Sequence, residues 1–160
     1  QGEFIAEDFV YISPEKNQEL KRSQVLPGQV MLSVRGTIGK SAVVPETVRI
    51  ANLNAAVVRI KIKSDIIDPY YLAGFLNSSI GRLQTSRIAN GAVQLNMNLS
   101  ECKSNLIPIP SKELQLKYRE SFVGFLQALE KSSQLIQEAK QDVEDLIEGH
   151  FNESRIQVES

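Results

Sequence analysis

Leu26-Pro27-Gly28-Gln29-Val30-Met31-Leu32-Ser33-Val34-Arg35-Gly36-Thr37-Ile38-Gly39-Lys40-Ser41-Ala42-Val43-Val44 is the stretch whose reading decides the fold. Leu26-Pro27-Gly28 is a turn signal. Gln29–Val34 is rich in strand formers, and Ser41–Val44 is a second such run. Two glycines lie between them, so the stretch predicts strand, glycine-rich turn, strand. Pro45 ends it. Downstream, Val58-Arg59-Ile60-Lys61-Ile62-Lys63 alternates apolar and basic residues. That is the period-2 pattern of a sheet with one wet face, here carrying Arg59, Lys61 and Lys63.

Beyond the strands the periodicity changes. Asp68-Pro69 offers an N-cap acid followed by proline at the first helical position. Leu72, Phe75, Leu76, Ile80 and Leu83 then recur at three- and four-residue spacing, which predicts a helix over about 69–85. Asn90-Gly91 marks a turn. Leu106-Ile107-Pro108-Ile109-Pro110 is extended, because each proline moves its predecessor out of the α region. Ser111 then caps a long helix that meets no proline before Gly149 and holds one interior glycine, Gly124. At 1.5 Å per residue it would reach on the order of 55 Å, longer than the domain before it. Phe122, Leu129, Ile136, Val143 and His150 fall seven apart, and Phe125, Ser132, Ala139 and Leu146 follow them by three. This matches a coiled-coil seam and predicts a partner helix; the alternative is an amphipathic helix lying on its own domain.

The expected architecture is therefore α+β. A β-rich globular domain covers 1–110, a long coiled-coil-type helix covers 111–150, and 151–160 form a flexible tail. The chain starts with Gln1 rather than Met, which points to a fragment or a processed chain.

The net charge of −1 hides an uneven distribution. Residues 1–15 carry −4, residues 16–103 carry +7 from 12 bases and five acids, and residues 111–160 carry −4. The basic block coincides with the strands and the first helix, which suits a polyanionic partner. One cysteine, Cys102, excludes an intrachain disulfide, and with the single histidine, His150, it falls short of the ligands a zinc site needs. No metal or cofactor is expected. No apolar run approaches the ~20 residues of a membrane span, and the acidic start is unlike a signal peptide. A soluble cytoplasmic protein without membrane contact is expected.

Several motifs have plainer readings. Gly36-Thr37-Ile38-Gly39-Lys40-Ser41 superficially matches the end of a phosphate loop. Val34 stands where the first glycine is required, however, and a strand follows where a helix should open. A β-turn exposing Arg35 and Lys40 is the better reading. Asp65 and Asp68 are three apart, but Asp68 serves as a cap. Tyr70-Tyr71 could stack on bases, yet a first helical turn more often packs its aromatics on the core. Arg82, Arg87, Asn90, Gln94, Asn96 and Asn98 have side chains that read base edges, and by composition alone they are an ordinary hydrophilic loop.

Taken in order, the Leu26–Lys40 stretch, Asn52-Leu53-Asn54, Asp68-Pro69-Tyr70-Tyr71-Leu72 with Phe75-Leu76-Asn77-Ser78, Asn90-Gly91-Ala92-Val93-Gln94-Leu95-Asn96, and Leu106–Pro110 before a long helix closely resemble the specificity subunit of type I restriction–modification systems. The resemblance covers roughly residues 24–150, one target-recognition domain and one helical spacer.

The resemblance implies that each recognition domain reads one half of a split DNA sequence. Paired antiparallel helices set the spacing and dock methyltransferase subunits, which hold S-adenosylmethionine and methylate adenine. The specificity subunit itself catalyses nothing. Asp68-Pro69-Tyr70-Tyr71 also lacks the second proline of an adenine-methylation motif. Only one recognition domain and one helix are present, with fewer residues before the Pro-Gly strand than is usual in the family. The chain would be a half-length subunit, a truncation or an excised piece. Its partners would be double-stranded DNA, methyltransferase subunits, and a second copy or second recognition half. Lys21, Arg22, Lys40 and Arg59 are the candidates for phosphate contact, and Arg35, Arg87, Asn90 and Gln94 for base reading. Phe122, Phe125, Leu129, Ile136, Val143 and Leu146 would form the helix seam. The rival expectation is a helix-mediated interaction protein that does not bind DNA.

Overall fold

The computed structural model describes residues 10–89 and 97–150. The expected tail, 151–160, lies outside them. Contacts divide the chain into a unit ending at Glu120 and another beginning at Ser121.

In the first unit, Ser13 caps a short helix, α1 (Pro14–Glu19), accepting from the Lys16 amide at 3.2 Å. Five short strands follow: β1 (Gln24–Val25), β2 (Val30–Ser33), β3 (Ser41–Val43), β4 (Ala51–Asn52) and β5 (Val57–Ile60). β1 pairs with β4, and β3-β2-β5 form a three-stranded antiparallel sheet. Leu26-Pro27-Gly28-Gln29 closes a tight turn, with Gly28 at φ +75° and the Gln29 amide donating to the Leu26 carbonyl. Proline second and glycine third are what a type II turn requires. The alternation in β5 is as read: Arg59 is exposed, while Val58, Ile60 and Ile62 pack against the core. The regular strand stops at Ile60, so Lys61 and Lys63 lie beyond it.

The core joins Val30, Leu32, Val34 and Val43 of the hairpin to Leu72, Ala73 and Leu76 of α2 (Pro69–Asn77) and to Met97. Each fully buried side chain of this size contributes roughly 2 kcal/mol.

The single helix expected over 69–85 is two. Ser78 leaves the α region (ψ 164°), and α3 (Ser79–Ala89) starts anew. The Ser78 hydroxyl donates to the Phe75 carbonyl at 2.6 Å and accepts from the Gly81 amide at 3.2 Å, so it serves both helix ends. Serine competes with helical hydrogen bonding in this way. Gly81 permits the sharp bend, since a Cβ there would overlap the Phe75 carbonyl. A fourth helix, α4 (Leu99–Lys103), was not expected; Asn98 and Glu101 form its capping box.

α5 runs unbroken over Lys112–Glu148. Its composition of Leu, Glu, Lys, Gln and Ala favours helix, and it ends at Gly149 (φ +76°), where the His150 amide reaches the Asp145 carbonyl at 2.8 Å. The first turns are anchored on the first unit. Gln115, 1% exposed, accepts from the Asp68 amide at 2.7 Å and donates to the carbonyls of Ile66 and Pro110, both at 3.0 Å. Asp68 caps α2 and also pairs with Arg119 at 3.3 Å. The Arg119 guanidinium lies 5.1 Å from the Tyr70 ring centre. Tyr71 meets Tyr118 edge-on with ring centres 6.1 Å apart and donates to the Pro108 carbonyl. Tyr118 lies so close to Gly74 that a Cβ there would overlap its hydroxyl. The Tyr70-Tyr71 pair thus holds the helix, as the packing reading favoured.

Candidate nucleic-acid interface

The glycine-rich turn becomes the tip of the β2–β3 hairpin. The Ser33 amide donates to the Lys40 carbonyl at 2.8 Å, and the Gly39 amide to the Ser33 carbonyl at 2.9 Å. Gly36 and Gly39 have φ of +67° and +81°, a region that side chains other than glycine rarely enter. Arg35 and Lys40 flank the turn, and both are exposed. The phosphate-loop reading fails here for the expected reason: Lys40-Ser41 leads into a strand. Ser41 is buried, and its hydroxyl donates to the Met31 carbonyl.

Three contacts hold this hairpin from outside. Asn77, at the end of α2, accepts from the Ser41 amide at 3.0 Å and donates to the Ser41 carbonyl at 2.6 Å, imitating a neighbouring strand. Thr85 of α3 presses on Gly39; a Cβ at Gly39 would lie 2.5 Å from the Thr85 hydroxyl oxygen. The Met97 amide donates to the Val34 carbonyl at 3.0 Å. Thr85 and Met97 bracket the candidates Arg87, Asn90 and Gln94 in sequence. Arg87 is exposed in the last turn of α3, while Asn90 and Gln94 lie outside the described residues.

A second group gathers at β1. Lys21 and Arg22 are exposed on a 3₁₀ turn, Lys21–Ser23. The Arg59 guanidinium donates to the Gln24 carbonyl, which draws it to the same end. Arg59 stands opposite Met31 in the sheet, two residue pairs from Ser33 opposite Val57. Of the described candidates, Arg35 and Lys40 therefore lie at the hairpin and Lys21, Arg22 and Arg59 at β1, with Arg87 on α3. The sequence reading missed Asn77 and Thr85, which hold the hairpin at Ser41 and Gly39. A polar residue at a helix end or on a helix face carries no periodic signal for such a contact.

Burial and then the neighbouring Glu101 push the Cys102 thiol pKa up. Among the described residues no group of three or more His, Cys, Asp or Glu could hold a metal ion, and no helix is long and apolar enough to cross a membrane.

The second unit has a different surface. No residue of its helical stretch, 121–148, is buried. Phe125, Val143 and the seam candidates Ile136 (56% exposed) and Leu146 (63%) lie open, with Phe122 and Leu129 half-buried. Ile136, Ala139 and Val143 line a shallow groove with Lys140 and Glu144.

No family model matches the chain. It is 28% identical over 123 residues to the type I restriction enzyme EcoBI specificity subunit of Escherichia coli, a match covering 75% of this chain. The chain spans about a quarter of that relative, 26% of its length. A solved chain described under the structural basis of complex assembly and conformational transition of the type I R-M system is similar at TM-score 0.48 and 17% identity. That likeness covers 79% of this chain and 29% of the other. The resemblance to type I specificity subunits, read from the ordered motifs, is borne out by the Escherichia coli relative.

Proposed function

We propose that the chain is a DNA-recognition piece of a type I specificity subunit. It binds double-stranded DNA, reads one half of a split target and directs methyltransferase subunits there, performing no chemistry itself. One observation carries this reading: exposed Arg35 and Lys40 flank a hairpin turn that Thr85 contacts at Gly39, while Met97 bonds Val34 just before it. Phosphate contacts would come from Lys21, Arg22, Lys40 and Arg59, and base contacts from Arg35, Arg87, Asn90 and Gln94. Phosphate contacts position, and base contacts specify.

The exposed apolar residues Phe125, Ile136, Val143 and Leu146 favour a second element of the role, a helix partner. That partner is a second recognition half, a second copy or a methyltransferase subunit. A helix-mediated interaction protein without DNA binding would share the stripe and differ in one measurement. In fluorescence anisotropy with a labelled duplex, log affinity should fall linearly with log salt, by about 0.9 for each phosphate contacted. Lys40→Glu should weaken binding to all sequences and reduce that slope by about one. Salt-independent binding, or none with methyltransferase subunits supplied, contradicts DNA recognition.

A further inference from the structure

We propose that the outer face of β5 and of the chain just after it is a phosphate-binding track for a DNA strand, formed by Arg59, Lys61 and Lys63 and ending in a cleft with Lys112 and Arg119. The inference rests on the DNA-recognition reading above and extends the contact surface beyond the hairpin, to the root of α5.

Three observations support it. First, burial alternates without a break from Val58 to Lys63. Val58, Ile60 and Ile62 pack against the core, while Arg59, Lys61 and Lys63 are exposed. The three bases therefore share one face, although the regular strand stops at Ile60. Along an extended chain they stand about 6.6 Å apart. No acid occurs between residues 51 and 64, and among the described residues neither Lys61 nor Lys63 has a hydrogen-bond or ion-pair partner. Second, the row has a direction. β5 begins with Val57 opposite Ser33, next to the hairpin turn, and leaves the sheet at Ile60 opposite Val30. It thus runs from the turn that carries Arg35 and Lys40 towards the first turns of α5. Third, the row ends in a cleft of about 370 Å³ lined by Lys63, Lys112 and Arg119. The Lys112 ammonium donates to the Asp65 carbonyl at 3.0 Å. Arg119 is steadied by Asp68 and the Tyr70 ring, yet 48% of its side chain stays exposed. The acids that line the cleft are Asp65 and Asp68. Asp68 is buried, its carboxylate spent on the Tyr70 and Tyr71 amides and on Arg119, so the three cations face one open carboxylate, that of Asp65. A cleft with a prevailing charge gathers counter-ions. A row of bases leading into it suits a ligand whose negative charge repeats along its length, the backbone of a nucleic-acid strand, better than a single small anion.

The test is the salt dependence of duplex binding in fluorescence anisotropy. Lys61→Gln with Lys63→Gln should lower the slope of log affinity against log salt by about two, and Lys112→Gln by about one, weakening binding to all sequences alike. All three side chains are exposed, so the substitutions leave the core untouched. The matched control, Lys131→Gln with Lys140→Gln, removes two exposed charges from the distal part of α5 and should leave the slope unchanged. A slope that holds in the Lys61–Lys63 double variant, or in Lys112→Gln, overturns the track; lysines on an edge strand then serve to keep other strands from pairing with it. A control that lowers the slope as far as the double variant overturns it too, since binding then follows total charge and no particular face. In each of these cases a slope still lowered by Lys40→Glu leaves DNA recognition standing without the track. If the wild-type chain binds no duplex with methyltransferase subunits supplied, the recognition reading falls first and the track with it.

Discussion

The first turns of α5 and the rest of that helix are one unbroken run of hydrogen bonds with opposite surroundings. Over 112–120 the informative residues are polar and engaged. Gln115 is buried with three hydrogen bonds, Arg119 joins Asp68 and Tyr70, and Tyr118 rests on Gly74. Over 121–148 the informative residues are apolar and open, Ile136 and Leu146 among them. Burial thus runs against residue type: the glutamine is inside and the isoleucine outside. A polar side chain can be buried when every polar atom finds a partner. The apolar residues at heptad spacing, by contrast, are left in water, which is the basis for proposing a helix partner.

This contrast can be broken at either end. The largest effect is expected at Gln115→Ala. It strips partners from the Asp68 amide and the Ile66 and Pro110 carbonyls, and should cost about 4 kcal/mol in urea unfolding. A cost under about 1 kcal/mol would show that the anchor is not where α5 is held. Ile136→Asp comes next. If the stripe pairs two chains, it should convert a dimer to a monomer in sedimentation, a loss of about 3 kcal/mol or roughly a hundredfold in association. An unchanged monomer mass before and after would remove self-pairing from the account. Gly74→Ala should cost about 2 kcal/mol, since Tyr118 must move to admit a methyl group. The smallest effect should be a gain. Gly124 is a helix-interior glycine with open space at its Cβ position. Gly124→Ala should therefore stabilise the chain by about 1 kcal/mol, read as a raised melting temperature.

Legibility in the sequence follows the same division. Features written in local chemistry were readable: the Pro27-Gly28 turn, the Val30–Ser33 and Ser41–Val43 strands, the Asp68 cap and the end of α5 before Gly149. The Asn98-x-x-Glu101 capping box was equally local and still passed unread. Features made by contacts between distant residues were not readable. The break at Ser78 depends on Gly81 approaching the Phe75 carbonyl, and apolar periodicity runs straight across it. Gln115 looks like any surface glutamine in a first helical turn. For the interface, the exposure of Arg35, Lys40 and Arg87 followed from their turns and helix end. The contacts of Thr85 with Gly39 and of Met97 with Val34 could not be read, because they join pairs far apart in the chain. Asn90 and Gln94 remain proposals from residue type.

The most direct test of the central claim is a map of methylated adenines in the source genome, made with and without the gene encoding this chain. The account predicts that methylation at one split, two-part target sequence disappears when the gene is deleted and returns when it is restored. A methylation pattern identical in both strains would contradict it.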